Sequence, residues 1–516
     1  MNIVSLNYIL FVIVFLSLYY IVPKKTQWQI ILIANTVFYG FTGLGNLTFI
    51  ISSSLITYIT ASIVSNLNEA LKKNKLEKSK EDYKKIKVIF LSKKRFILIS
   101  MLILNVGLLV YLKYWRVLFS SKSLFLPIGI SYYTLQTISY FMDVYNEKIQ
   151  HEKSFFRYFA YVSFFPQLIM GPINRYGDTG KQINSCHNFK FENIKHGLML
   201  ILYGAMKKII IADMLVGRIS DIMDPNLTNI PGFVILFGIL MYSVYQYADF
   251  SGGIDMVLGV AELFDIKMMQ NFKQPYFSTS LANFWQRWHI SLGAWMRDYV
   301  FYPLALTKFF QKISKFFSVH AGKHVGRVIG ACIANIVVFV LVGIWHGPEL
   351  HFLIWGLYNG IIIALSDLCS PIFKNLTRIL KINENSKGFY IFRIIRTFII
   401  VNIGWYFDRI TDVRKSFIYL KNTFLNFGNP LNVNRDYLNT LFGHISNFQS
   451  QIVLVIIGTC LVLFNDLYKN NRLSLYSSIQ KKNIFIRWST YYLLLILIII
   501  GLSFTQGDVG FMYAQY

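Results

Sequence analysis

Long apolar runs, interrupted at short intervals by polar residues, dominate the chain. Windows long enough to cross about 30 Å of hydrocarbon fall near residues 4–22, 28–45, 48–66, 96–112, 155–173, 194–216, 232–262, 327–346, 350–369, 390–408, 452–467 and 488–503. A further stretch, 125–146, is as long but carries Pro127, Gly129, Ser131, Thr134, Gln136, Ser139 and Asp143. The pattern predicts an all-α polytopic membrane protein with about 11–13 membrane segments, some of them re-entrant or broken.

Composition supports this reading. Of 516 residues, 54% are hydrophobic, 17% aromatic and 15% charged, and the mean hydropathy is +0.46. The net charge of +26 would suggest nucleic-acid binding in a soluble protein; here the basic residues mark cytoplasmic loops instead. Lys72 to Arg95 alone holds eleven Lys and Arg, and Lys24-Lys25, 265–326, 370–389 and Lys481-Lys482 belong to the same side. Both termini are then expected outside. Two cytoplasmic loops, ending at Arg95 and beginning at 174, demand an even number of crossings between them, yet three candidates lie there. The polar stretch 126–145 is the one expected not to cross simply, facing protein or a cavity that can satisfy it. Tyr8 to Val22 has no basic region before it and no small-residue cleavage site after it, as a first span would. The four cysteines are scattered and imply no disulfide framework. His320 and His324 lack a third ligand, so no metal site is expected.

Polar residues within apolar surroundings are candidate functional positions. Besides 126–145, they cluster in FFPQLIMGPINRY (164–176), in YADFSGGIDM (247–256) with NFKQPY (271–276) and FWQRWHISLGAWMRDYVFYPL (284–304), and in GIWHGPELH (343–351). The third group reads either as an amphipathic interfacial helix with an aromatic belt, or as a vestibule in which Gln286, His289, Arg287 and Arg297 hold an anionic donor such as a phosphorylated pantetheine carrier. In the fourth, Trp345 and His346 read either as an interfacial pair at a helix end, or with His346 as a general base whose imidazole burial keeps neutral.

The ordered series YADFSGGIDM, NFKQPYF, FWQRWHISLGAWMRDYVFYPL and GIWHG, with LPIGISYYTLQTISYF and FPQLIMGPINRY before it, resembles the membrane-bound O-acyltransferases (MBOAT). The likeness is to the bacterial branch of alginate O-acetylation proteins and peptidoglycan O-acetyltransferases, with teichoic-acid D-alanylation proteins more distant. The resemblance implies a ring of helices around a central funnel. It implies that His346 and His289 are the family's two histidines, and that Trp285, Gln286, Arg287, Arg297, Asp249, Ser251, Trp345 and Gln136 line the donor site or funnel. The donor would be a cytoplasmic thioester, acyl-CoA (acetyl-CoA) or an acyl carrier, with no bound cofactor. The family sets this histidine near mid-membrane, so an inward dip of Gly343 to Pro348 is expected.

The final residues, Phe511-Met512-Tyr513-Ala514-Gln515-Tyr516, resemble the aromatic tail of the O-acetylating branch. The resemblance implies Tyr513 as an acyl acceptor that passes the group to an SGNH-type extracellular or membrane-anchored acetyltransferase acting on a cell-envelope polysaccharide; an ordinary aromatic chain end is the other reading. Three consecutive parts of a single integral membrane domain are expected: N-terminal spans with the basic cytoplasmic loop (1–95), a catalytic core (96–410) and C-terminal spans with the tail (411–516). The expected activity is export of an acetyl group for polysaccharide O-acetylation. D-alanyl transfer to teichoic acid, a transporter and a scaffold are the alternatives. Lys-, Ile- and Asn-rich usage suggests a Gram-positive membrane.

Overall fold

The structure is a computed structural model, and it describes residues 3–119, 127–168, 170–224, 230–430, 445–470, 475–504 and 510–511. Among these, helix is the only regular secondary structure apart from one isolated antiparallel bridge between Phe272 and Trp288. Among the described residues, eight helices are long and apolar enough to cross a membrane. This is a multi-pass membrane protein.

The N-terminal helices are α1 (Leu6–Ile21), α2 (Gln27–Thr42), α3 (Leu44–Glu77), α4 (Lys80–Phe119), α5 (Ile130–Tyr145) and α6 (Phe155–Val162). The Ser5 hydroxyl caps α1 by accepting from the Tyr8 amide at 3.3 Å, which satisfies one of the orphan donors at a helix start. At 34 and 40 residues, α3 and α4 are about 50 and 60 Å long, far more than a bilayer core needs. The basic stretch 72–95 is therefore mostly helix rather than an open loop. Its charges ride on the ends of two spans that meet at Lys78-Ser79.

Next come α7 (Phe191–Met206), a π-helical turn Lys207–Ala212, α8 (Asp213–Met223) and α9 (Gly232–Leu263). Two short helices follow, α10 (Leu281–Trp285) and α11 (Ile290–Met296), and then α12 (Lys308–His320), α13 (Lys323–His346), α14 (Leu350–Leu368), α15 (Ser370–Ile379), α16 (Lys387–Arg409) and α17 (Val413–Leu425). The last helices are α18 (Ile445–Asn470) and α19 (Ile484–Phe504).

These elements form two compact units that interleave along the chain rather than following one another. Unit 1 takes residues 1–201, 257–269 and 513–516; unit 2 takes 202–256 and 270–512. In unit 1, fourteen of the sixteen residues of α5 are buried, so this polar helix faces protein rather than lipid. At 16 residues it is about 24 Å long, shorter than a full crossing. Tyr140 packs on Tyr158 at 4.4 Å and on Tyr176 at 5.0 Å between ring centroids, so aromatic side chains with a polar tip fill this interior.

In unit 2, the α13–α14 pair positions the site. A Cβ on Gly343 would strike the Phe352 carbonyl, and one on Gly356 would strike the Phe339 carbonyl. Only glycine permits that backbone approach, the usual way helices associate where lipid offers no hydrophobic drive. The hairpin turns at Gly347-Pro348, so His346, the last residue of α13, is held against the first turns of α14.

Candidate active site

The motif segments assemble within unit 2. NFKQ and RWHI run antiparallel: the Lys273 amide donates to the Arg287 carbonyl at 2.9 Å and the Ile290 amide to the Asn271 carbonyl at 3.0 Å. This short ladder ends at His289, whose φ of +49° is left-handed. For a residue with a Cβ such a conformation costs on the order of 1–3 kcal/mol and persists only where the surroundings fix it. Here it turns the chain from the ladder into α11.

The Asn271 side-chain oxygen collects the result. It accepts from the Ser291 amide at 2.9 Å and the Ser291 hydroxyl at 2.8 Å, and lies 3.4 Å from His289 Nδ1. That oxygen can only accept, so Nδ1 carries the proton and Nε2 the lone pair in the neutral ring. The His289 side chain is buried, and burial pushes its pKa down to about 3. It is a neutral imidazole at physiological pH.

Aromatic rings link the two histidines. The Phe250 ring meets His289 edge-on at 4.8 Å, and Trp345 lies 6.3 Å from His289 and 5.0 Å from His346. His346 is buried, stacks on Phe352 at 6.0 Å and meets Trp355 edge-on at 5.4 Å. Trp355 in turn packs at 88° to Trp285, at 5.3 Å. The Trp285 indole donates to Asn359 Oδ1 at 3.0 Å, and the Asn359 amide donates to the Trp355 carbonyl at 2.8 Å. Four of the expected site residues, His289, His346, Trp345 and Trp285, thus fall in one contiguous cluster.

The other expected residues lie elsewhere. Gln286 is exposed. Arg287 is half-buried, 3.5 Å from the Gln274 carbonyl, and Arg297 is exposed and pairs with Asp298 at 2.9 Å. Asp249 is fully buried against Lys208 at 2.8 Å, and Ser251 accepts from Lys207 at 3.1 Å. Gln136 is buried in α5 of unit 1, with no hydrogen-bond partner for its side-chain amide among the described residues. Tyr513 lies outside the described residues. Glu349 is exposed at the start of α14, whereas His351 is buried and its Nδ1 donates to the Phe407 carbonyl at 2.8 Å.

Asn271 and Asn359 had no place in the expected site, although NFKQPY was itself marked. Lys207, Lys208 and Asp213 fall in the ordinary span 194–216 and were passed over, and Asp255, within the marked YADFSGGIDM, was given no role. Two adjacent lysines inside LMLILYGAMKKIIIADML are the sign that would have flagged them.

A family profile for MBOAT, the membrane-bound O-acyltransferase family, matches residues 34–321, a stretch that ends before His346. A peptidoglycan O-acetyltransferase from Helicobacter pylori is 30% identical over 74% of this chain and 77% of its own length. A probable alginate O-acetylase, AlgI, from Pseudomonas syringae is 34% identical over 54% of this chain and 48% of its own. A teichoic acid D-alanyltransferase from Bacillus subtilis is 28% identical over 54% and 67%. The match thus spans about half the length of the alginate relatives. With the family profile covering more than half of the sequence, the chain belongs to the membrane-bound O-acyltransferase family.

Proposed function

We propose that the protein transfers an acyl group, acetyl above all, from a cytoplasmic thioester towards an acceptor beyond the membrane, for O-acetylation of a cell-envelope polysaccharide or exopolysaccharide. The observation that carries this reading is the pair of buried imidazoles, His289 and His346, joined through Trp345 in a cluster of aromatic rings. Relatives named as peptidoglycan and alginate O-acetyl-transferring proteins support acetyl over D-alanyl.

In this reading His346 takes the proton from the attacking hydroxyl. The oxygen adds to the thioester carbonyl, the C–S bond breaks, and the departing thiolate is reprotonated, leaving an ester and a free thiol. Water that would hydrolyse the thioester is kept out by Trp285, Trp345 and Trp355. His289, neutral and fixed by Asn271, orients the reacting groups. The hydroxyl is that of Tyr513, which relays the group to an SGNH-type acetyltransferase acting on the polymer. Arg287 and Arg297 receive the phosphate groups of acetyl-CoA or of a carrier's pantetheine. The Lys-, Ile- and Asn-rich composition supports a Gram-positive membrane.

The test is to give the purified protein acetyl-CoA labelled in the acetyl group and follow label into the peptide that contains Tyr513. Label that disappears in His346→Ala and in Tyr513→Phe is expected. Transfer that survives His346→Ala overturns the reading, and label delivered only from a D-alanyl carrier replaces acetyl with D-alanyl.

A further inference from the structure

Lys207 and Lys208 bring two ammonium groups into the interior of an apolar region, side by side on the π-helical turn between α7 and α8. Such turns, one residue wider than an α-turn, recur at functional positions. Close backbone approach sets them against α9: a Cβ on Gly204 would strike the Gly252 carbonyl. Lys207 then reaches Asp255 at 2.5 Å and Ser251 at 3.1 Å, and Lys208, 1% exposed, reaches Asp249 and Asp213, each at 2.8 Å.

An ammonium has three donors. For Lys208, two face the carboxylates; the third donates at 3.0 Å to the carbonyl of Gly510, in the segment after α19. The next residue, Phe511, is buried, and its ring lies 4.5 Å from the same nitrogen, a cation–π contact strengthened by the absence of water. The helices leading to this segment dock on the same turn. A Cβ on Gly458 of α18 would lie 3.0 Å from Ile210, and one on Gly501 of α19 would lie 2.7 Å from it.

A buried cluster of one lysine and two aspartates is costly to assemble, and apolar residues of similar volume would commonly hold helices together as well or better. What the lysine adds is a donor and a positive charge that a carbonyl and an aromatic ring can use. We infer that Lys208, oriented by Asp213 and Asp249, is a positioning residue whose ligand is this chain's own final segment, seated through Gly510 and Phe511. On the relay reading of Tyr513, on which only this consequence rests, the seat fixes the approach of an acceptor two residues beyond Phe511.

The experiment uses full-length protein with its native cysteines replaced by serine and a single reporter, Gln515→Cys, labelled by a maleimide in detergent. Lys208→Met removes both tail contacts, and Phe511→Leu removes the ring while leaving every buried ion in place. Both should be labelled at least tenfold faster than the parent. Acetyl transfer to the tail per folded molecule should fall at least tenfold, with the half-saturating acetyl-CoA concentration unchanged within twofold; a general folding defect would lower the total rate but not the rate per folded molecule. Parental labelling rates in both variants overturn the seat; faster labelling in one of them assigns it to that contact. Faster labelling combined with full transfer in Tyr513→Phe leaves the seat standing and overturns the relay.

Discussion

Each compact unit buries a histidine, and the two kinds of burial differ. In unit 1, His187 is surrounded by acceptors: Nδ1 lies 3.2 Å from Asp265 and Nε2 2.7 Å from the Gln182 carbonyl. Lys190 and Asn193 bind the same carboxylate at 2.8 and 2.6 Å. Ser185 Oγ, 3.2 Å from Nε2, completes what looks like a nucleophile–base–acid series. However, Nε2 points a proton at a carbonyl, and the hydroxyl donates to that carbonyl too. The hydroxyl's proton goes to the carbonyl rather than to the ring, so the series lacks its nucleophile–base hydrogen bond. In unit 2, by contrast, His346 and His289 lie among the rings of Trp345, Trp355, Phe352 and Phe250, and His289 Nδ1 faces the Asn271 amide oxygen. Unit 1 uses His187 as a fastening; on the proposed function unit 2 presents His346 for chemistry, while its His351 is tied to the Phe407 carbonyl.

Replacing His346 breaks this comparison most severely. His346→Ala should lower acetyl transfer by about 10²- to 10⁴-fold, the usual worth of a positioned general base, while thermal unfolding in detergent moves little. His187→Ala should do the reverse, lowering the unfolding temperature with the transfer rate per folded molecule kept. If both variants lost activity equally, the assignment of roles to the two units would fail.

Acid separates them next. Burial depresses His289 to about 3, against about 6.5 in an unfolded chain. Between those values the unfolded chain binds the extra proton, so stability is whole above about pH 6.5 and declines as pH falls, by up to about 1.4 kcal/mol per pH unit. Asp265 behaves differently. Burial alone would raise its carboxyl, but hydrogen bonds from Lys190, His187 and Asn193 outweigh it and hold it below the usual range. Its contribution is present above about pH 3.9 and lost only as pH falls further. His289→Asn, a residue that tolerates the left-handed region, should flatten the loss between pH 6.5 and 4. Asp265→Asn should leave that slope intact and destabilise the protein by about 1–3 kcal/mol at neutral pH. Denaturation profiles of the two variants against pH check both statements.

Much of this was legible in the amino-acid order, because membrane spans are long and uniform. Apolar windows such as 327–346 and 350–369 sit within α13 and α14 to within a few residues, and residues 130–145 of the polar stretch form α5, buried along nearly its whole length as its Ser, Thr and Gln content required. What escaped has no periodicity to reveal it. The ladder joining Asn271 to Ile290 is a contact between two irregular segments, and the left-handed turn at His289 depends on it. Lys207 and Lys208 were averaged away by the isoleucines that follow them, and two of their three aspartate partners, Asp249 and Asp255, come from α9. The basic stretch 72–95 was legible as charge but not as helix, since a solvated helix shows no apolar face.

The smallest expected effect concerns how firmly the aromatic cluster of unit 2 is held. Trp285 stands 5.3 Å from Trp355 and 5.5 Å from Phe339, and its indole proton goes to Asn359, which is itself tied to the Trp355 carbonyl. Trp285→Phe keeps a ring in contact with both neighbours but deletes the donor, leaving the buried Asn359 oxygen unsatisfied. A cost of about 1–3 kcal/mol in stability follows from that orphaned acceptor, with a transfer rate lowered only severalfold because His346 still rests on Trp355. Asn359→Leu added to Trp285→Phe removes the orphan as well and should recover part of the stability. The double variant should therefore be more stable than the single if the hydrogen bond orients the cluster, and less stable if Asn359 serves α14 in another way.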